Sequence, residues 1–270
     1  MNDAPVRLHL RLLEVPVVLD VPRRLHGQLC TALRALGPTD DAGPDAASLA
    51  RSVLLRPDGA AWTVRVDGGA LLCHEDPVGL VVTALTQVAV RHTPLLGVHA
   101  GALAAAAGTV VLPGPSGLGK STLVACALRE GFGYLSDEVL AIDRSTGAVA
   151  ALPRPLALDA TAWRLAGLPE RAAPEADAER LLPPDDLGVV GRPAPITAIV
   201  LARRATDGPT VLEQATPGEA VTSLLRHSFN HYRDSAGSLA RVVALARSAA
   251  LWRARYADAR DLAATLADRL

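Results

Sequence analysis

The stretch that most restricts this chain is GTVVLPGPSGLGKSTLVACALREG, residues 108–131. A short apolar run bounded by Gly and Pro reads as a buried strand, and the segment from Lys120 to Gly131 reads as a helix. Between them the pattern G-x-x-x-x-G-K-[ST] is met by Gly114, Gly119, Lys120 and Ser121. Pro115, Ser116, Gly117 and Leu118 fill the loop, and Thr122 follows it. Glycines allow a close wrap in which backbone N–H groups point at a phosphate. The helix that follows aims the positive end of its dipole at the same place. Lys120 would reach the β- and γ-phosphates, and the Ser121 hydroxyl would serve Mg²⁺. A chance glycine turn is the competing reading, and the strand–loop–helix context weighs against it.

Switches, motors, transporters and kinases all use such a cradle, so the rest of the chain has to choose. Its 270 residues suit one large α/β domain, or one domain with a small N-terminal appendage. Half the residues are apolar but only 3% are aromatic, so the core must be Leu, Val and Ala. The net charge of −1, with both signs interspersed, gives no reason to expect nucleic acid or an anionic membrane as partner. The opening MNDAPVRLHLRLLEVPVVL lacks the basic and long apolar regions of a signal peptide. AGALAAAAGTVVLPG is too short and Gly-rich to span a bilayer. Three isolated cysteines, Cys30, Cys73 and Cys126, fit a reducing cytoplasm. CHED at 73–76 offers four potential ligands, but neighbours on a strand point to opposite faces, so a strand end is the better reading.

The chain shows no internal repeat. Residues 6–20 alternate loosely, as one or two short strands; 23–36 have helical spacing; 37–48 read as a polar loop. Strands 61–66 and 70–74 form a hairpin on Asp67-Gly68-Gly69, and a helix with Pro in its first turn covers 77–93. These make residues 1–94 a small α+β region. Beyond it, 134–143 reads as one strand carrying two acids, AVAALPRP as a hairpin strand, 169–193 as a mobile loop with a short helix, and 195–204 as a strand. From residue 217 onward the pattern is helical, with breaks near 235 and 257. Residues 95–270 are therefore expected to form an α/β sheet layered with helices.

Two features flank the cradle. GVHAGAL carries His99 upstream, and GFGYLSDEVLAID carries Asp137 and Glu138 downstream. A carboxylate there could hold Mg²⁺ or deprotonate an attacking hydroxyl. Adjacent acids on a regular strand face opposite ways, so different roles are expected for the two. His99 could tune a nearby acid, although taken alone it reads as a buried structural histidine, and Glu138 as a solvated strand end.

Taken together, HAGAL, VVLPGPSGLGKSTL and REGFGYLSDEVLAID resemble the catalytic domain of HPr kinase/phosphorylase. They are more similar still to the HPr-kinase-related kinases encoded beside ribosomally made peptides. The resemblance covers about residues 95–145. It implies a P-loop sheet like the C-terminal domain of that family, with ATP and Mg²⁺ as nucleotide and metal. It implies Asp137 as the catalytic acid/base, His99 as its neighbour, Lys120 and Ser121 on phosphate and metal, and Glu138 in place of a second aspartate.

The chain also departs from that pattern. Where the family carries a metal-binding Glu before Leu-Gly, Pro183 precedes Leu187-Gly188, leaving Asp185 or Asp186 as candidate metal ligands. TPGEA at 216–220 lacks both arginines of the family's corresponding segment, which argues against phosphorolysis and against HPr itself. Arg226 and Asn230, read as one helical turn apart, and Arg154 are candidate substrate contacts, against the plainer reading of surface charges. The expected activity is Mg-ATP-dependent transfer to a hydroxyl, serine of a peptide or small protein. The N-terminal part and C-terminal helices would shape the acceptor groove or a homo-oligomer contact. A P-loop ATPase or GTPase switch is the rival class, but neither a guanine-reading Asn-Lys-x-Asp nor transporter signature segments occur. A nucleotide-binding module without transfer is a third reading.

Overall fold

The computed structural model describes residues 4–39, 50–176 and 178–270, so most of the stretch read as a polar loop at 37–48 lies outside them. Two compact units divide the chain, Met1–Pro94 and Leu95–Leu270.

In the first unit β1 (Pro5–Leu12) and β2 (Val15–Pro22) form an antiparallel hairpin. Its two turn residues, Leu13 and Glu14, both take positive φ. A two-residue turn of type I′ requires this, yet neither residue announces it in the sequence. Helix α1 (Arg23–Ala32) ends in a 3-10 turn that Gly37 closes in the left-handed conformation. β3 (Arg51–Asp58) pairs parallel with β2 and antiparallel with β4 (Ala61–Val66). β5 (Ala70–His74) completes a five-stranded sheet in the order β1-β2-β3-β4-β5. Helix α2 (Pro77–His92) packs on β3, β4 and β5. Its N-cap is Asp76, which accepts from Val78 N and Gly79 N, so this acid of CHED caps a helix.

The second unit is built on a mixed sheet. β6 (Leu96–Ala105) and β7 (Gly108–Pro113) pair antiparallel; β13 (Ile196–Arg204) lies parallel to both β7 and β15 (Ala250–Tyr256). The order is β10-β9-β6-β7-β13-β15-β14, with β8 (Gly133–Ser136) also on β6. The remaining members are β9 (Val139–Ile142), β10 (Val149–Ala151) and β14 (Val211–Gln214). A separate ribbon pairs β11 (Leu156–Asp159) with β12 (Glu179–Leu182).

Every residue of β7 is buried, as expected of a central strand covered on both faces. Val110 and Leu112 belong to the cluster that includes residues of α3 (Lys120–Arg129), α4 (Ala160–Leu165) and α7 (Ala259–Arg269). Val111 belongs to the cluster that includes residues of α5 (Pro217–Arg226) and α6 (Ser235–Ser248). This period-2 division makes a helix–sheet–helix sandwich with β7 at its centre. No helix among the described residues is long and apolar enough to cross a membrane.

Three sequence expectations change. Residues 134–143 are two strands, because Ser136 Oγ accepts from Glu138 N and Val139 N and breaks the ladder at the two acids. The stretch 169–193 contains β12 besides two 3-10 turns, since Leu181 and Leu182 pair with β11. Residues 250–256, expected to be helical, form β15; their burial alternates, and β13 offers a parallel edge that outweighs local propensity.

Candidate active site

The turn from Gly114 to Gly119 connects the buried end of β7 to the first residue of α3. Gly117 and Gly119 have φ of +80° and +85°, a region that L side chains rarely enter. Gly119 occupies the N-cap and carries no capping side chain, so the first N–H groups of α3 keep no side-chain partner there. Lys120 Nζ donates to the carbonyls of Gly114 (3.0 Å) and Pro115 (2.8 Å), curling over the turn. Burial pulls the Lys120 ammonium below its ordinary pKa, while Glu138 and Asp137 act the other way.

The bend between β8 and β9 brings both acids to the same place. Asp137 and Glu138 line one cavity of about 340 Å³ with Lys120, Ser121 and Arg154. The expectation that they face opposite ways fails because neither lies within a regular strand. Asp137 Oδ2 accepts from Ser121 Oγ at 2.7 Å. Its Oδ1 accepts from Tyr134 Oη at 3.0 Å and from Arg154 Nε at 3.2 Å. The Asp137 carboxylate is fully buried. Burial, and then the Asp137 charge, hold the Tyr134 phenol well above its ordinary pKa, so it remains a donor.

Glu138 is reached from two sides. His99 Nε2 lies 3.5 Å from Oε1, and Arg154 Nη2 lies 3.6 Å from Oε2. His99 Nε2 is buried without an aligned hydrogen-bond partner, and Glu138 Oε1 is the carboxylate oxygen beside it. Burial raises the Glu138 pKa, but His99 and Arg154 outweigh it and the carboxyl sits below the usual range. The structure thus sets His99 against Glu138, not against Asp137 as the sequence reading had it. The His99 ring also meets Phe229, ring centroids 5.8 Å apart.

Ser116, Gly117, Gly119 and Thr122 line the same cavity. Gly114, Pro115 and Leu118 line a second cavity of about 590 Å³, together with Ser223, Arg226 and His227 of the α5 region. That cavity lacks Lys120, Ser121 and both acids, so the chemistry belongs in the smaller one.

Four sequence candidates stand outside the smaller cavity. Helix α5 ends at Arg226, so Arg226 and Asn230 do not share a helix face. Asn230 is buried and structural: Nδ2 donates to the Leu95 carbonyl (2.8 Å) and Oδ1 accepts from Gly97 N (3.0 Å). Asp185 and Asp186 lie on an exposed 3-10 turn outside the cavity. Gly188, two residues on, sits against Leu128 near the C-terminal end of α3. Seven residues of helix, about 10 Å, separate Leu128 from Ser121. Residues the sequence reading missed also line the cavity: Asp159, Glu179 and Arg204. Tyr134 orients Asp137 from below. Only its position three residues before Asp137 could have drawn attention to it.

No protein-family model matches the chain, and no curated protein is significantly similar to it in sequence. The case for function therefore rests on the geometry.

Proposed function

We propose that the Leu95–Leu270 unit is a Mg-ATP-dependent kinase of the P-loop class, related to HPr kinase, that transfers the γ-phosphoryl group to a hydroxyl. A serine of a peptide or small protein is the acceptor class. The observation that carries this reading is the convergence of a glycine turn, Lys120 and Ser121 with two carboxylates and Arg154 on one cavity. A phosphate-binding element alone would serve a switch. Carboxylates facing it add what a hydroxyl acceptor needs.

Backbone N–H groups at the start of α3 would hold phosphate oxygens, and Lys120 would exchange its two loop carbonyls for phosphate. The Ser121 hydroxyl and the Asp137 carboxylate are paired hard oxygen donors, which fit Mg²⁺. No group of three or more His, Cys, Asp or Glu forms a metal cage among the described residues. Magnesium needs none where substrate phosphates complete its shell. When bound, the ion would neutralise developing phosphate charge. Arg154 would add a second cation beside the transferred group, and a carboxylate would take the acceptor's proton. An ATP supply and three cysteines outside any disulfide fit a cytoplasmic setting.

The test is intact-mass spectrometry of serine-containing peptides incubated with Mg-ATP and the protein. The expected result is a gain of one phosphoryl group with matching ADP formation. ADP release that ignores the peptides would overturn the kinase reading in favour of an ATPase switch. Nucleotide binding with neither would favour a binding module.

A further inference from the structure

We infer that the two adjacent acids divide the work in the reverse of the order the resemblance implies. Asp137 serves the divalent cation with Ser121, and Glu138 takes the acceptor's proton, with His99 as its positioning residue. This inference rests on the kinase reading above.

The argument starts from access. The Asp137 side chain is 0% exposed, and three donors hold its two oxygens: Ser121, Tyr134 and Arg154. A general base must come within about 2.6–3.2 Å of the hydroxyl it deprotonates. To do so Asp137 would have to shed charge-assisted hydrogen bonds inside the protein. Two of its donors are themselves fixed. Tyr134 is fully buried on β8, and Arg154 is 15% exposed and also contacts Glu138. The exchangeable partner is Ser121, at the mouth of the glycine turn. Asp137 is therefore equipped to share a cation with that hydroxyl.

Glu138 is the opposite case. Its side chain is 33% exposed, and both its contacts are long, 3.5 Å to His99 and 3.6 Å to Arg154. These orient the carboxylate while leaving lone pairs for an incoming hydroxyl. Its backbone is pinned on both sides: Glu138 N donates to Ser136 Oγ, and Ala100 N donates to the Glu138 carbonyl. The side chain thus leaves a fixed point toward the cavity. His99 stands on the paired strand, where it opposes Val139, and can steady the carboxylate without touching substrate.

In the transfer, the acceptor O–H bond breaks and its proton goes to the Glu138 carboxylate. The oxygen forms the new bond to the γ-phosphorus, and the bond from that phosphorus to the bridging oxygen breaks, releasing ADP. Partial exposure of Glu138 then lets the proton leave to water.

The experiment measures ATP affinity with and without Mg²⁺, and peptide phosphorylation, for the wild type, Asp137→Asn, Glu138→Gln and His99→Gln. Glu138→Gln should keep the full gain in affinity that Mg²⁺ gives the wild type, yet lose transfer by about 100-fold or more. Asp137→Asn should lose most of that Mg²⁺-dependent gain. His99→Gln should lower kcat with little change in KM for ATP. Retention of the gain by Asp137→Asn with its loss in Glu138→Gln would overturn the assignment. So would wild-type transfer by Glu138→Gln. If thermal melting shows Asp137→Asn unfolded, Glu138→Gln alone decides. If the wild type transfers to no acceptor, the kinase reading fails, while the Mg²⁺ arm still judges the place of Asp137.

Discussion

Ser121 and Asp137, sixteen residues apart in sequence, are joined by a 2.7 Å hydrogen bond that ties the first turn of α3 to the bend after β8. Each end follows a strand of one sheet, β7 before the glycine turn and β8 before the bend, and both strands pair with β6. Sheet register therefore sets where the glycine turn and the bend begin, and the two loops complete the approach. Precision of this kind is what a positioned reaction requires.

Lys120 now holds two carbonyls of its own loop. Lys120→Ala removes the cation that would meet phosphate and leaves those carbonyls to water. Charge-assisted hydrogen bonds are each worth about 1.5–3 kcal/mol, so ATP affinity should fall by roughly 10- to 100-fold. Calorimetric titration checks this. An unchanged affinity would remove the glycine turn from the nucleotide site.

Asn230 helps to fasten the start of β6, donating to the Leu95 carbonyl and accepting from Gly97 N. Asn230→Ala would take the side-chain acceptor away from the buried Gly97 N–H, a cost of about 1–3 kcal/mol. Chemical denaturation should show that loss, while activity per folded molecule stays near that of the wild type. A rise in KM for the acceptor without destabilisation would restore Asn230 to the substrate site.

The sequence made the glycine turn legible because its residue types carry backbone requirements, positive φ at Gly117 and Gly119, that few other residues meet. It made His99, Asp137 and Glu138 visible as chemistry but not their pairing. That pairing depends on the bend at Ser136 and on the register of β9 against β6, both of which are long-range. Arg154 was legible as a candidate substrate contact, but nothing local shows that it pairs with Asp137. The bond from Tyr134 to its carbonyl and its own side-chain contacts to Asp137 and Glu138 hold it in the site. The segment 250–256 misled for a related reason: seven residues of mixed character satisfy either period, and the neighbouring strand decides.

Asp143 turns the β9–β10 hairpin by accepting from the backbone and hydroxyl groups of Ser145 and Thr146. These bonds, the Ser145 hydroxyl first, hold its carboxyl well below the usual range. Glu219 is lowered in the same direction by the Thr216 backbone and side chain at the start of α5. A depressed folded pKa gives stability that is complete above the unfolded value, about 3.9 for Asp and 4.3 for Glu, and drains as pH falls through the folded value. Asp143→Ala should therefore lower Tm at neutral pH, and the gap to the wild type should close as pH drops below about 4. A gap that stays constant from neutral pH to strongly acid conditions would contradict the role.

Cys126 and Cys73 should differ sharply toward electrophiles. Cys126 lies within α3, 2% exposed, in the cluster beneath the glycine turn. Burial, with Asp258 next in effect, pushes its thiol up to about 11. At pH 8 roughly one molecule in a thousand would then carry the reactive thiolate, even if the reagent could enter. Cys73 is exposed on β5. Mass spectrometry after brief treatment of the native protein with iodoacetamide at pH 8 should find Cys73 alkylated and Cys126 intact. Unfolding in denaturant should make Cys126 react as well. Because α3 begins at the nucleotide cradle, its protection also reports on the site. If ATP slows Cys126 labelling further, nucleotide binding suppresses opening of α3; if labelling is fast in the native protein, the helix is not packed as described.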